Sequence, residues 1–183
     1  MMHNDIERVL LSEQELAARI REIAGEINRD YAGQSLMLIS VLRGSFIFMA
    51  DLVRCLTISC TVDFMAVSSY GKKSKSSGAV QITKDLSDDI AGKNILIVED
   101  ILDSGNTLSY LMKTLSARSP RSMRLCTLLD KPSRRTKPVE VHYRGFVVPD
   151  EFVVGYGLDY AERYRNLPYI GILKPQVYGG EGK

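Results

Sequence analysis

Apolar positions along the chain fall into two alternating rhythms, unbroken runs and helical stripes. Leu16, Ile20, Ile23 and Ile27 recur at the spacing of a buried helix face behind a Ser12-Glu13-Gln14-Glu15 capping box, predicting a helix over residues 12–31. The run 36–42 is apolar almost throughout, as in a strand covered on both faces of a parallel sheet. A short Arg43-Gly44-Ser45 turn then opens a helix over 46–56. Further runs predict strands at 61–67, 79–83, 95–98 and 123–129, with shorter ones at 139–143, 152–154 and 169–173. Leu108, Leu111, Met112 and Leu115 form a third helical stripe. Strands alternating with helices indicate an α/β fold with a central, mostly parallel sheet flanked by helices. Ligands of such sheets sit at the carboxyl ends of the strands. Strands ending at Leu42, Val98 and Leu129 therefore bring Arg43-Gly44, an acidic loop and Lys131 to one edge.

That acidic loop is the richest stretch. Glu99-Asp100 ends the run 95–98, Asp103 follows after two apolar residues, and Ser104-Gly105-Asn106-Thr107 opens the third helix. A small-residue turn at a helix N-terminus aims free backbone N–H groups outward and so suits an anion. Carboxylates beside it suit hydroxyls or a metal, and the two together point to a ligand carrying a phosphate as well. The plain alternative is a β–α turn with Ser or Asn as N-cap, but capping accounts for neither Glu99-Asp100 nor Asp103.

Composition narrows the field. A chain of 183 residues, 45% hydrophobic and 25% charged, reads as one soluble domain, and a net charge of +2 is too mild to argue for nucleic acid or an anionic membrane. No apolar run approaches the ~18 residues of a membrane span, and the first residues lack the features of a signal peptide. Three cysteines without paired spacing predict neither a disulfide framework nor a zinc site, so a reduced cytoplasmic protein is expected. Of the two histidines, His3 falls in an expected frayed terminus and His142 in the strand 139–143, leaving proton chemistry to carboxylate, Lys or Tyr. Arg134, Arg135 and Lys137 read as solvated. Residues 68–78, rich in Ser, Gly and Lys, are either a disordered hairpin tip or a basic lid over an anionic ligand.

The stretch from Val98 to Leu108 resembles the phosphoribosyl-diphosphate loop of type I phosphoribosyltransferases. Together with Leu42-Arg43-Gly44, Ser69-Tyr70, Leu129-Asp130-Lys131-Pro132 and Asp150 to Tyr156 running on to Arg165, it is similar to the bacterial hypoxanthine-guanine branch over nearly the whole chain. The resemblance implies a core over about 11–130, a small hood built mainly from about 131–175, and a disordered tail at 176–183. It implies transfer of a 5-phosphoribosyl group from 5-phospho-α-D-ribose 1-diphosphate to N9 of hypoxanthine or guanine. Glu99 and Asp100 would hold the ribose hydroxyls and Mg²⁺, and Asp103, facing purine N7, would be catalytic. Ser104, Gly105, Asn106 and Thr107 would cradle the 5′-phosphate. Leu42, Arg43 and Gly44, through their backbone, and Arg165 would bind pyrophosphate. Lys131 would contact O6, Phe152 would stack on the purine, Val153 would offer backbone groups, and Asp159 would line the purine and reach Mg²⁺ through water. Ser69 and Tyr70 would belong to a closing lid, a reading the chemistry favours because water must be kept from the diphosphate. Arg43 stands where many relatives have Lys. Small-molecule substrates, no nucleic acid, no membrane and a homodimer or homotetramer follow as expectations.

Two rival readings make separate demands. A regulatory RNA-binding protein on the same fold would carry a dense basic face, which the mild charge argues against. A carboxylate-metal hydrolase of α/β fold would have no use for the 104–107 phosphate turn or Lys131.

Overall fold

The computed structural model describes residues 2–69 and 80–179. A 3-10 turn (Met2–Asp5) leads into β1 (Ile6–Leu11), then α1 (Glu13–Asp30), β2 (Leu36–Leu42), α2 (Phe46–Cys55), β3 (Cys60–Ser69), β4 (Val80–Lys84) and β5 (Asn94–Leu102). There follow α3 (Asn106–Ser116), β6 (Ser122–Asp130), β7 (Tyr143–Val147), β8 (Val153–Val154), β9 (Ile170–Leu173) and α4 (Pro175–Tyr178).

Six strands form the central sheet in the order β4-β3-β2-β5-β6-β7. All its pairings are parallel except β3–β4 at one edge. Side chains alternate across the strands, so β5 serves two cores: Leu96 and Val98 pack with α1 and α2, Ile95 and Ile97 with α3. Burial on both faces explains the unbroken apolar runs. Helix α1 starts at the predicted box, with Ser12 and Glu15 each accepting from the other's backbone N–H. A second, three-stranded antiparallel sheet, β1-β9-β8, forms the hood with its own small core around Val154, Tyr164 and Leu173.

Several expectations need correction. The terminus around His3, expected to be frayed, is held, with His3 Nδ1 2.7 Å from Tyr169 Oη, and β1, for which no strand was expected, pairs with β9. The two acids do not end β5, which continues through them to Leu102 because β6 pairs alongside as far as Asp130. The strand expected at 139–143 forms at Tyr143–Val147, and His142 instead accepts from the Leu125 N–H at Nδ1, 3.3 Å away. β7 lies in the central sheet and β1 in the small one. Pro175–Tyr178 is helical, with Tyr178 stacking on Phe152, and the rest of the expected tail beyond residue 179 lies outside the described residues.

Candidate active site

The carboxyl ends of β2, β5 and β6 meet at one edge, as parallel pairing requires. On β5, Glu99 is 8% exposed and its Oε2 has no hydrogen-bond partner among the described residues. Burial pushes its carboxyl well above the usual range, and the neighbouring Asp100 charge adds to this. Burial also pushes Asp100 up to about 6, opposed by backbone N–H donors such as that of Ile101 at 2.8 Å and by the Arg165 charge. Such carboxyls gain from a cation or hydroxyl donor in the cleft.

Beyond the end of β5 the chain turns at Gly105, which has φ +82° and is the N-cap of α3. The N-cap position thus falls to Gly105 rather than to Ser104 or Asn106, although Ser104 Oγ accepts from the Asn106 N–H at 3.4 Å. Only the left-handed region makes this turn, and a β-carbon at Gly105 would also stand 2.7 Å from the Lys137 carbonyl oxygen. The start of α3, where backbone N–H groups lack helical partners, borders a cavity of about 270 Å³ lined by Leu42, Gly44, Glu99, Asp100, Ser104 and Thr107. The Leu42–Arg43 peptide in its wall is cis.

A second cavity, of about 400 Å³, holds Lys131, Phe152, Val153 and Asp159. Ile101 and Asp103 line both cavities. Lys131 is 5% exposed and donates through Nζ to the Glu151 carbonyl at 2.9 Å, with two further protons to offer. Phe152 meets Tyr178 in a near-parallel stack, centroids 4.9 Å apart, and Tyr160 edge-on. Asp103 Oδ1 is buried without a partner among the described residues, and the Arg134 guanidinium lies 3.8 Å from its Oδ2 while pairing with Asp150 at 2.6 Å.

Arg165 closes the far side. Its Nη1 donates to the Gly157 carbonyl at 2.8 Å and its Nη2 pairs with Asp159 at 2.8 Å. Glu162 bridges Arg165 at 3.3 Å and Arg43 at 2.8 Å. Gly157, at φ +100°, lies against the Gly44 carbonyl so closely that a β-carbon would overlap it. The hood thereby rests on the Arg43-Gly44 turn.

The structure thus brings Leu42 to Gly44, Glu99 to Thr107, Lys131, Phe152, Val153, Asp159 and Arg165 to one edge. Ser69 ends β3, whereas Tyr70 and the rest of the expected lid to residue 78 lie outside the described residues. Arg134 is exposed, as expected, and also lines the second cavity, whereas Arg135, expected to be solvated, is half-buried behind the loop and donates to the Asp103 carbonyl at 3.0 Å. Neither spacing nor charge distinguishes Arg135 from a surface arginine. Tyr178 and Ile101 were likewise missed, because Tyr178 acquires its place only through the fold of β9.

Among the described residues no three His, Cys, Asp or Glu side chains stand close enough to hold a metal by themselves. The all-oxygen donor set and the orphaned Glu99 oxygen nonetheless fit Mg²⁺, which is commonly bound by one or two carboxylates and completed by substrate oxygens.

The chain matches the phosphoribosyl transferase domain family over residues 9–161. It is 55% identical over 177 residues to the bifunctional protein TilS/HprT of Listeria innocua, covering 97% of this chain but 27% of that protein's length. It is 52% identical over 178 residues to the hypoxanthine-guanine phosphoribosyltransferase of Bacillus subtilis, covering 97% and 99% of the two chains. The crystal structure of a hypoxanthine phosphoribosyltransferase from Staphylococcus aureus superposes with a TM-score of 0.93 at 48% identity, over 97% of this chain and 96% of that one.

Proposed function

The chain belongs to the phosphoribosyl transferase family, and from that membership we propose that it transfers the 5-phosphoribosyl group of 5-phospho-α-D-ribose 1-diphosphate to N9 of hypoxanthine or guanine. IMP or GMP and pyrophosphate would result, as in purine salvage. The observation that carries the reading is the pair of cavities joined at Asp103, one ending in a backbone anion nest, the other in a buried ammonium and an aromatic ring.

Each residue has a task in that reaction. The N–H groups of Ser104 to Thr107 hold the 5′-phosphate, with the hydroxyl side chains beside them. Glu99 and Asp100 hold the ribose hydroxyls and set negative charge beside a sugar that becomes oxocarbenium-like. Purine N9 attacks C1 as the bond from C1 to the diphosphate oxygen breaks. The N7 proton passes to the Asp103 carboxylate, whose unpartnered Oδ1 has capacity to accept it. The Leu42 to Gly44 backbone and Arg165 bind the leaving pyrophosphate. Mg²⁺ held by Glu99, Asp100 and, through water, Asp159 would offset the charge gathering on that group. Lys131 donates to a 6-oxo group, Phe152 stacks on the ring and Val153 offers its backbone to the purine edge. An ammonium has donors alone, so adenine's 6-amino group would find no acceptor there.

No helix of the described residues is long and apolar enough to cross a membrane, and a cytoplasmic homodimer or homotetramer belongs to the same proposal. The test is pyrophosphate release from the phosphoribosyl donor with hypoxanthine, guanine, xanthine, adenine or uracil as acceptor. Release with a 6-oxopurine supports the reading, and silence with every 6-oxopurine defeats it.

A further inference from the structure

The turn after β6 forms the back wall of the phosphate nest. The 3-10 turn Pro132–Arg134 bends the chain so that Arg135 points inward, with its side chain 20% exposed. Its Nε donates to the Asp103 carbonyl at 3.0 Å and its Nη2 to the Leu102 carbonyl at 3.4 Å. The same Nη2 pairs with Asp130, whose side chain is 2% exposed and whose other oxygen pairs with Arg144 at 2.8 Å. The next carbonyl, that of Ser104, accepts from the N–H groups of Thr136 at 2.9 Å and Lys137 at 3.1 Å, and from Thr136 Oγ1 at 3.1 Å. Three successive carbonyls of the loop are therefore all pulled to the side away from the ligand cavity.

Peptide planarity turns this into function. In a trans peptide the C=O and N–H vectors are antiparallel across one rigid plane. Drawing the Asp103 carbonyl onto Arg135 fixes the Ser104 N–H in the opposite direction, and drawing the Ser104 carbonyl onto residues 136–137 does the same for the Gly105 N–H. We propose that Arg135 is a positioning residue for the proposed transfer reaction: anchored on buried Asp130, it aims the 5′-phosphate nest and sets the Asp103 carboxylate between the two cavities. It makes no contact with substrate in this scheme. The planar fork is essential, because one guanidinium reaches Asp103, Leu102 and Asp130 together, which a single ammonium centre cannot.

The wiring also states what should be spared. Asp130 keeps Arg144 if Arg135 is lost, and the Lys131 N–H still bonds the Leu102 carbonyl at 3.0 Å. The purine side therefore stays placed while the phosphate side drifts. A shift of about an ångström in a reacting group is worth roughly a hundredfold in rate.

The inference rests on the proposed phosphoribosyl reading, and the experiment separates the two. Arg135→Lys, which keeps a charge beside Asp130, and Arg135→Ala are compared with the wild type by steady-state kinetics, calorimetric binding of ribose 5-phosphate and thermal melting. Expected are a kcat lowered roughly a hundredfold, ribose 5-phosphate affinity weakened about tenfold and a purine KM within about threefold of the wild type. Ethylguanidinium should restore part of the lost kcat of Arg135→Ala, and ethylammonium should not. Should Arg135→Ala not fold, the lysine variant decides alone. A folded Arg135→Lys protein with both kcat and ribose 5-phosphate affinity within about threefold of wild type overturns the role of Arg135. So does a purine KM that rises as far as the donor KM. A wild type that neither turns over nor binds ribose 5-phosphate overturns the phosphoribosyl reading and this inference with it.

Discussion

Gly44 lies flat against Asp100: a β-carbon on Gly44 would overlap Asp100 Oδ2. The Arg43-Gly44 turn and the Asp100 carboxylate are thus in contact through a missing side chain. Gly157 presses the same turn from the hood side, against the Gly44 carbonyl. Gly44→Ala must displace either the carboxylate or the turn, an overpacking cost of about 1–3 kcal/mol. We expect a lowered melting temperature and a donor KM raised about tenfold, with purine KM changed less. Steady-state kinetics and thermal melting check this.

The buried acids make stability depend on pH with an unusual sign. Asp100 is raised from 3.8 to about 6, and Glu99 is raised as well, both chiefly by burial. The folded state therefore holds protons that the unfolded chain gives up. The contribution is fully present below 3.8 and is lost as pH rises through about 6. Asp100→Asn removes that titration. The melting temperature of the wild type minus that of Asp100→Asn should fall between about pH 4 and pH 7. A difference that stays flat or rises would count against buried, raised carboxyls.

Lys131 should govern the choice of base. Its remaining protons have no acceptor duty to offer adenine, whereas an amide can donate or accept. Lys131→Gln is expected to lower the hypoxanthine-over-adenine ratio of kcat/KM by at least about tenfold. Acceptor kinetics with the two bases measure it.

Tyr178 backs the Phe152 ring, proposed to stack on the purine, at a centroid distance of 4.9 Å and an angle of 22°. Aromatic pairs of this kind contribute about 0.5–1.5 kcal/mol beyond buried area. Tyr178→Leu should raise the purine KM several-fold and leave the donor KM unchanged, and Tyr178→Phe should behave as wild type. Equal shifts in both constants would argue for general loosening of the hood instead.

Asp103→Asn keeps the shape of the loop but removes the proton acceptor at the junction of the cavities. A kcat lowered at least about a hundredfold with donor KM within threefold is expected. An unchanged kcat would take Asp103 out of its role.

Much of this was legible in residue order, and the reasons differ by element. Buried strands such as β2 declare themselves because both faces need apolar side chains. The turn at 104–107 could be picked out because capping alone leaves the adjoining Glu99, Asp100 and Asp103 without a use. Strand β1 could not, since its alternating burial is weak and its partner β9 lies more than 150 residues away. Glu99 and Asp100 looked like a strand terminus, because carboxylates inside a buried strand contradict local preference, and such conflicts collect at functional sites. Arg135 was illegible for another reason. Its place depends on the turn that precedes it and on a buried Asp130 that composition cannot show to be buried.

The central claim is that this edge joins a phosphoribosyl donor to a 6-oxopurine. Incubation with 5-phospho-α-D-ribose 1-diphosphate, Mg²⁺ and either hypoxanthine or adenine, followed by chromatographic resolution of the nucleotide, tests it most directly. The account predicts IMP from hypoxanthine, one pyrophosphate per IMP, and little or no AMP from adenine. AMP formed as readily as IMP, or no nucleotide from hypoxanthine or guanine, would contradict it.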